Sequence, residues 1–204
     1  MIGICHICGN YDWDKEVEGN KITCPKCGGS WEYKKMPFFI LTGCSGIGKT
    51  TTAQIIQREC EDVVTLDADI FYNIMPGETE EDNYAQIEQI QSLTNNIAQS
   101  GKAVLWTMAG NLDKVNNTYN RRFFDEVYVL ALTASEADVR KRMGEGRGIT
   151  DANWIQGSVD YNNYFRTHNS LGDLTFDTLD TEGKTVNEVA EEVKKWLTKH
   201  LNKA

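Results

Sequence analysis

The sequence predicts an α/β fold with a mostly parallel sheet, preceded by a small cysteine-bearing module. Three observations carry this expectation. From Phe38 onward, short apolar runs alternate with longer amphipathic stretches, the pattern of strand–helix–strand units. A glycine-rich segment, GCSGIGKT at Gly43–Thr50, sits between an apolar run and a helical pattern. Residues 1–35 hold four of the six cysteines, in two C-x-x-C pairs, with few aliphatic side chains. A chain of 204 residues accommodates one well-buried domain and a small appendage rather than two full domains.

Taken in order, the cysteine-bearing module is expected over 1–35 and the α/β domain over 36–204. The junction is KKMP at 34–37, where Pro37 disfavours helix just before the first strand. Expected strands are FFILT (38–42), VVTLD (63–67), AVLWT (103–107), EVYVLAL (126–132) and LTFDTLD (174–180). Helical patterns fill the gaps. TTAQIIQREC follows the glycine segment. NYAQIEQIQSLTNNIAQ puts Ile87, Ile90, Leu93 or Thr94, and Ile97 on one stripe. TVNEVAEEVKKWLTKHL does the same with Val186, Val189, Val193, Trp196 and Leu197, and gathers lysines near its C-terminal end, where cations suit the helix dipole.

Composition excludes several classes. The formal net charge of −9 disfavours long-range attraction to nucleic acid or an anionic membrane. No apolar run approaches the about 20 residues of a spanning helix. The N-terminal residues lack a charged segment followed by an apolar one, so no signal peptide is expected. A cytoplasmic location follows as an expectation, and the cysteines read as metal ligands or thiols before disulfides.

Cys5-x2-Cys8 and Cys24-x2-Cys27 are separated by 15 residues, and each pair continues into glycine. A C-x-x-C turn points two thiolates at one ion, and two such turns complete a tetrahedral site. A segment this small cannot bury a sufficient core, so the ion supplies much of its folding energy. Neither pair opens a helix within a strand–helix–strand pattern, which argues against a thioredoxin-like dithiol. His6, between two ligands, is expected to point away. Acidic and basic side chains are balanced in this segment, so it is no basic nucleic-acid patch.

GCSGIGKT fits G-x-x-x-x-G-K-[ST], the Walker A or P-loop pattern, and its context of strand before and helix after is the one the pattern requires. Backbone N–H groups of Gly43, Cys44, Ser45, Gly46, Ile47 and Gly48 can surround phosphate oxygens, and the helix opening at Lys49, Thr50 and Thr51 adds its positive end. Lys49 can reach the β- and γ-phosphates and Thr50 can ligate Mg²⁺. A nucleotide, ATP, is the expected ligand. A GTPase would carry an N/T-K-x-D motif, and none is present. The acidic pair Asp125–Glu126 precedes its strand and so falls at the wrong sheet edge for a motor-type acid.

Asp67 and Asp69 lie at the carboxyl end of the second expected strand. Residues two apart on a strand share a face, so both converge if the strand runs through them, at the edge where ligands bind in α/β sheets. Taken alone, such a pair reads better as capping or solvated strand-end charge; the P-loop one strand earlier in the chain tips the reading to function.

The order of P-loop, Asp-x-Asp strand, long helix, apolar third strand and Arg-rich glycine segment resembles the small P-loop kinases, over about residues 38–201. That group includes shikimate and gluconate kinases, adenylate-type nucleoside and nucleotide kinases, and antibiotic and polynucleotide-end kinases. The cysteine spacing resembles a zinc ribbon, although C-P-x-C-G knuckles also occur in iron-binding rubredoxins; Zn²⁺ is the expected ion. The kinase resemblance implies a three-layer fold with five parallel strands in the order 2-3-1-4-5. It implies ATP- and Mg²⁺-dependent phosphoryl transfer to a small acceptor, a nucleoside or nucleotide. Asp67 would then order Mg²⁺ with Thr50, and Asp69 would meet the acceptor, the two roles being interchangeable. A lid is expected over about 140–151, within VRKRMGEGRGITD, with Arg147 first and Arg142 second as the cations that neutralise the transferring group. The exposed end of a basic helix is the plainer reading of those arginines. No acid follows Trp106 and Thr107 at the third strand's end, which makes Asp67 more necessary. Trp154, Tyr161, Tyr164, Phe165 and Arg166 line an acceptor pocket or pack on the sheet. A 5′-hydroxyl polynucleotide kinase, a shikimate- or gluconate-like kinase, and a non-enzymatic nucleotide-binding module docking a partner through the ribbon are the rival readings.

Overall fold

The computed structural model describes residues 2–71, 74–75 and 77–202. Two sheets organise it. Strands β1 (Glu16–Glu18), β2 (Lys21–Thr23) and β3 (Ser30–Glu32) form a small antiparallel sheet beside the four N-terminal cysteines. The larger sheet begins with β4 (Phe38–Thr42), followed by helix α1 (Lys49–Glu59), β5 (Val63–Asp67), α2 (Glu80–Ala98), β6 (Ala103–Thr107) and β7 (Val127–Thr133). After β7 come α3 (Glu136–Lys141) and α4 (Ala152–Thr167). A short hairpin of β8 (Ser170–Leu171) and β9 (Leu174–Thr175) leads to β10 (Asp177–Asp180) and α5 (Val186–Leu201).

All pairings in the five-stranded sheet are parallel, in the order β10-β7-β4-β6-β5. Counted from β4, this is the expected order 2-3-1-4-5. The first three strands match the apolar runs residue for residue. Parallel strands covered by helices on both faces bury every side chain, and β4 and β6 are buried throughout. Phe39 and Leu41 enter one core with Ile56 of α1 and Val193 and Trp196 of α5. Phe38 and Ile40 enter the other with Ile87 and Ile90 of α2, as strand alternation requires.

Four expectations need adjustment. The fourth strand runs Val127–Thr133, one residue later than read. The run 174–180 is two strands, because Phe176 is drawn into the core and donates its N–H to the Asn169 carbonyl at 3.0 Å. Helix α2 starts at Glu80, ahead of the stripe, because Thr79 and Asp82 form a reciprocal capping box there. On its inner face Thr94, not Leu93, is buried; the Thr94 hydroxyl accepts the Trp106 indole N–H at 2.7 Å.

The N-terminal sheet packs on the far end of α2 and on the 3₁₀ turn Tyr119–Phe123. Ile2, Ile22 and Tyr33 close on Phe123, Trp13 lies 5.1 Å from the Tyr119 ring, and the Gln99 amide pairs with both backbone groups of Lys34. Asp125 and Glu126 sit at this amino edge of the large sheet, where the Glu126 carbonyl accepts the Phe38 N–H. Among the described residues, no helix is long and apolar enough to cross a membrane.

Candidate active site

At the carboxyl end of β4 the chain reverses through the glycine loop. Gly43 has φ 134°, and a Cβ there would lie 2.6 Å from the Leu132 carbonyl oxygen, so only glycine fits. Gly48, at φ 110°, opens α1 with no side-chain cap, which leaves first-turn N–H groups available to an anion. Cys44 and Ile47 turn their side chains into the core, so only their backbone can serve a phosphate. Burial pushes the Cys44 thiol up to about 11. Lys49 arches over the loop and donates to the Gly43 and Cys44 carbonyls at 2.7 and 3.0 Å. Burial pushes its ammonium below the usual lysine range, against the opposing pull of Cys44, Asp69 and Asp67.

Two strands away, beyond β6, Asp67 ends β5. Its Oδ2 accepts the Thr50 hydroxyl at 3.1 Å and its Oδ1 accepts the Asp69 N–H at 3.1 Å. Asp69 does not continue the strand, contrary to the simplest reading of the pair. Ala68 is buried and starts a 3₁₀ turn through Phe71, and the Asp67 carboxylate holds that turn. Both carboxylates nevertheless face one cleft. Burial raises the Asp69 pKa above the ordinary carboxylate range; the Asp67 charge adds to this, and Lys49 and Arg147 oppose it.

The cleft has a volume of about 560 Å³. Its floor is Ser45, Gly46, Gly48, Lys49, Thr50 and Thr51; Asp67 and Asp69 form one wall, Thr107, Met108 and Ala109 another, and Arg147 with Trp154 the rim. The Thr107 hydroxyl is buried with no hydrogen-bond partner among the described residues. Trp106 points instead into the core, wholly buried.

The Arg-rich segment splits by geometry. The α3 helix passes into a π turn over Arg142–Gly146, and α4 begins after Asp151. Arg147 reaches the cleft. Arg142 does not: its guanidinium donates to the Ile47 carbonyl at 3.2 Å and to Thr181 Oγ1 at 2.9 Å. It borders a second hollow of about 300 Å³ behind the loop, shared with Gly46, Gly48 and Thr51 and closed by Thr181 and Lys184. Arg140 pairs with Glu136 along the helix. Of the aromatic segment, Trp154 alone lines the cleft. Phe165 is core, Tyr161 and Tyr164 pack against that core, and Arg166 holds the Ala134 carbonyl at 3.0 Å.

Some residues escaped the sequence reading. Asn162 is fully buried and clamps Ala134 by both backbone groups, at 3.0 and 2.9 Å, fixing α4 to the end of β7. Thr181 ties Arg142 to the strand end after β10. Neither belongs to a short motif, and partners 28 and 39 residues distant in sequence leave no local signal.

A second site lies in the ribbon-like module. The four sulfur atoms of Cys5, Cys8, Cys24 and Cys27 lie within 4.8 Å of one another. Cys5–Cys27 and Cys8–Cys24 are 3.7 and 3.8 Å apart, the edge length of a tetrahedron with metal–sulfur bonds of about 2.3 Å. The donor set fits a tetrathiolate zinc ion. His6 lies outside it, its ring 5.2 Å from that of Trp31. The fully buried Lys15 ammonium sits nearby, held by Asp14 at 2.7 Å and the Asp12 carbonyl at 2.8 Å.

Comparison with known proteins yields structural neighbours only. No protein-family model matches the chain, and no curated protein matches it. A sugar kinase from Janibacter sp. superposes with a TM-score of 0.59 at 19% identity, covering 80% of this chain and 95% of its own. A gluconokinase from Sinorhizobium meliloti gives 0.57 at 17%, covering 83% and 96%. The shikimate kinase of Acinetobacter baumannii, solved with shikimate, gives 0.54 at 18%, covering 81% and 95%. The chain therefore has the fold of the small P-loop kinases.

Proposed function

We propose that this chain is a phosphotransferase that moves the γ-phosphoryl group of ATP to a hydroxyl of a small acceptor, a nucleoside or nucleotide. The observation that carries the reading is convergence. Lys49 and Thr50 of the loop meet the Asp67 and Asp69 carboxylates and the Arg147 guanidinium in one cleft at the carboxyl edge of a parallel sheet.

Each group has a role in that reading. Loop amides and Lys49 hold the donor phosphates. Thr50 and Asp67 would hold Mg²⁺, which when bound neutralises phosphate charge. Asp69, whose proton affinity is raised, orients the acceptor hydroxyl and takes its proton. The acceptor oxygen bonds to phosphorus while the bond from phosphorus to the bridging oxygen breaks, and ADP leaves. Arg147 offsets charge on the transferring group. Arg142 takes a different part from the one read in the sequence: it forms a shelf in the hollow behind the loop, where the nucleoside end of the donor can lie. The four cysteines hold zinc, residues 1–35 form a structural ribbon, and 36–204 form the transferase domain, working in the cytoplasm.

The test is ATP consumption by purified protein with Mg²⁺ and a panel of nucleosides, nucleotides, gluconate and shikimate. Acceptor-stimulated ADP formation with a phosphorylated product is expected. Slow hydrolysis indifferent to every acceptor would favour a nucleotide-binding module instead, and salt-sensitive oligonucleotide binding would favour polynucleotide-end transfer.

A further inference from the structure

Arg147 and Trp154 form a pair at the cleft rim that the transfer scheme alone does not require. The guanidinium carbon lies 5.8 Å from the indole centroid, inside the roughly 6 Å reach of a cation–π contact. Among the described residues no hydrogen bond or ion pair holds that guanidinium. The Gly148 and Ile149 N–H groups are bound to the Gly144 and Met143 carbonyls at 2.9 and 3.0 Å, so the loop backbone is held and the movement available is that of the long arginine side chain itself. The Trp154 backbone is likewise fixed in place: its main-chain N–H is bound by the capping Asp151 carboxylate at 3.1 Å, in the first turn of a helix clamped to β7 by Asn162. Yet its side chain is 47% exposed, a large flat surface left open on the wall of a reaction cleft.

We infer that Trp154 is the stacking platform for an acceptor that carries an aromatic ring, and that this ring competes with Arg147 for the indole. The inference rests on the phosphotransferase reading. With the site empty, the indole face attracts the guanidinium and holds it at the rim. A heteroaromatic ring stacking on the same face displaces the cation. Released, Arg147 has a rich field of attraction inward: it already feels the Asp69 charge, and donor phosphates on the loop would add to it. Acceptor binding thereby delivers the cation that phosphoryl transfer needs. Without acceptor, the cation stays back and water is a poor substitute. One residue thus sets acceptor class and restrains wasteful hydrolysis. A polyol acid such as gluconate, which has no ring to stack, neither binds the platform nor frees the arginine.

The experiment compares wild type, Trp154→Leu and Trp154→Phe, all full-length, with adenosine and uridine against gluconate and shikimate as probes. Trp154 is exposed, so all three should melt alike. In wild type, nucleosides should be the better acceptors. Trp154→Leu should raise nucleoside KM by roughly tenfold or more, the size of a lost stacking contact, with a smaller change in kcat. It should also raise acceptor-free ATP hydrolysis by about two- to fivefold, the size of a lost exposed cation–π contact. Trp154→Phe, which keeps a ring face, should restore most of both. Transfer by wild type with unchanged Trp154→Leu kinetics overturns the inference and leaves the transferase reading standing, as does a preference for gluconate or shikimate. If wild type transfers to none of the probes, the transferase reading is in question. Acceptor-free hydrolysis then decides the arginine half: a rise in Trp154→Leu supports it, and equal rates sink it.

Discussion

The N-terminal module and the P-loop domain solve the same problem by opposite means. The first has a core of three of its own buried side chains, Ile2, Ile22 and Tyr33, completed by Phe123 of its neighbour. Beside it lie four cysteine sulfurs spaced so that they fit one tetrahedral ion. The second buries both faces of a five-stranded sheet and can therefore leave polar groups exposed at one edge. The difference teaches where chemistry can be housed. The domain with surplus core can leave Lys49, Asp67 and Asp69 around an open cleft. The cysteine-bearing module instead keeps Lys15 fully buried against Asp14 and the Asp12 carbonyl, and it sits at the opposite edge of the sheet from that cleft.

The largest effect should come from removing the ion. Chelation, or Cys24→Ser, is expected to unfold residues 1–35, because structural zinc contributes on the order of 10–16 kcal/mol in comparable sites. The large sheet should still melt cooperatively. Metal analysis with hydrogen exchange resolved by segment checks this, and full protection of the β1–β3 sheet in the metal-free protein would erase the contrast.

Lys49→Ala reverses the test. It should reduce transfer by about 10³-fold or more, the scale of losing a cation on a transferring phosphoryl group, while hydrogen exchange throughout both regions stays as in wild type. Turnover near wild type would remove the glycine loop from the chemistry.

The arginines sharpen the picture within the second region. Arg147→Ala should lower kcat, and Arg142→Ala should raise the ATP KM with kcat nearly unchanged, by roughly ten- to a hundredfold for a lost charged hydrogen bond. Equal kinetic signatures would place both side chains in one role.

The smallest effect on stability concerns pH. Burial, and then the Asp67 charge, raise the Asp69 pKa. As a base, Asp69 should give the transfer rate an acid limb above the ordinary carboxylate range. For stability the sign runs the other way. The folded state binds this proton more tightly than the unfolded state, so ionising Asp69 destabilises the fold as pH rises from the unfolded to the folded pKa. Asp69→Asn should therefore lose both the acid limb and most transfer, and be slightly more stable than wild type at neutral pH. A stability loss at neutral pH would mean the carboxylate is a structural group.

Much of this was legible in the sequence because it is written locally. Strand and helix periodicities, the C-x-x-C turns and the glycine loop each depend on residues within one turn or one strand of each other, and covalent geometry dictates their shape. The sequence by itself thus determined the five strands, the glycine loop between strand and helix, and the clustering of Cys5, Cys8, Cys24 and Cys27. Only the tertiary structure decided that Asp69 leaves its strand yet still faces the cleft, that Thr94 rather than Leu93 enters the core, and that Arg147 reaches the site while Arg142 is drawn to Thr181. The physical reason is the same each time. Where alternative positions have nearly equal local preference, the choice falls to the partner that packing brings alongside, and that partner lies tens of residues away in the chain.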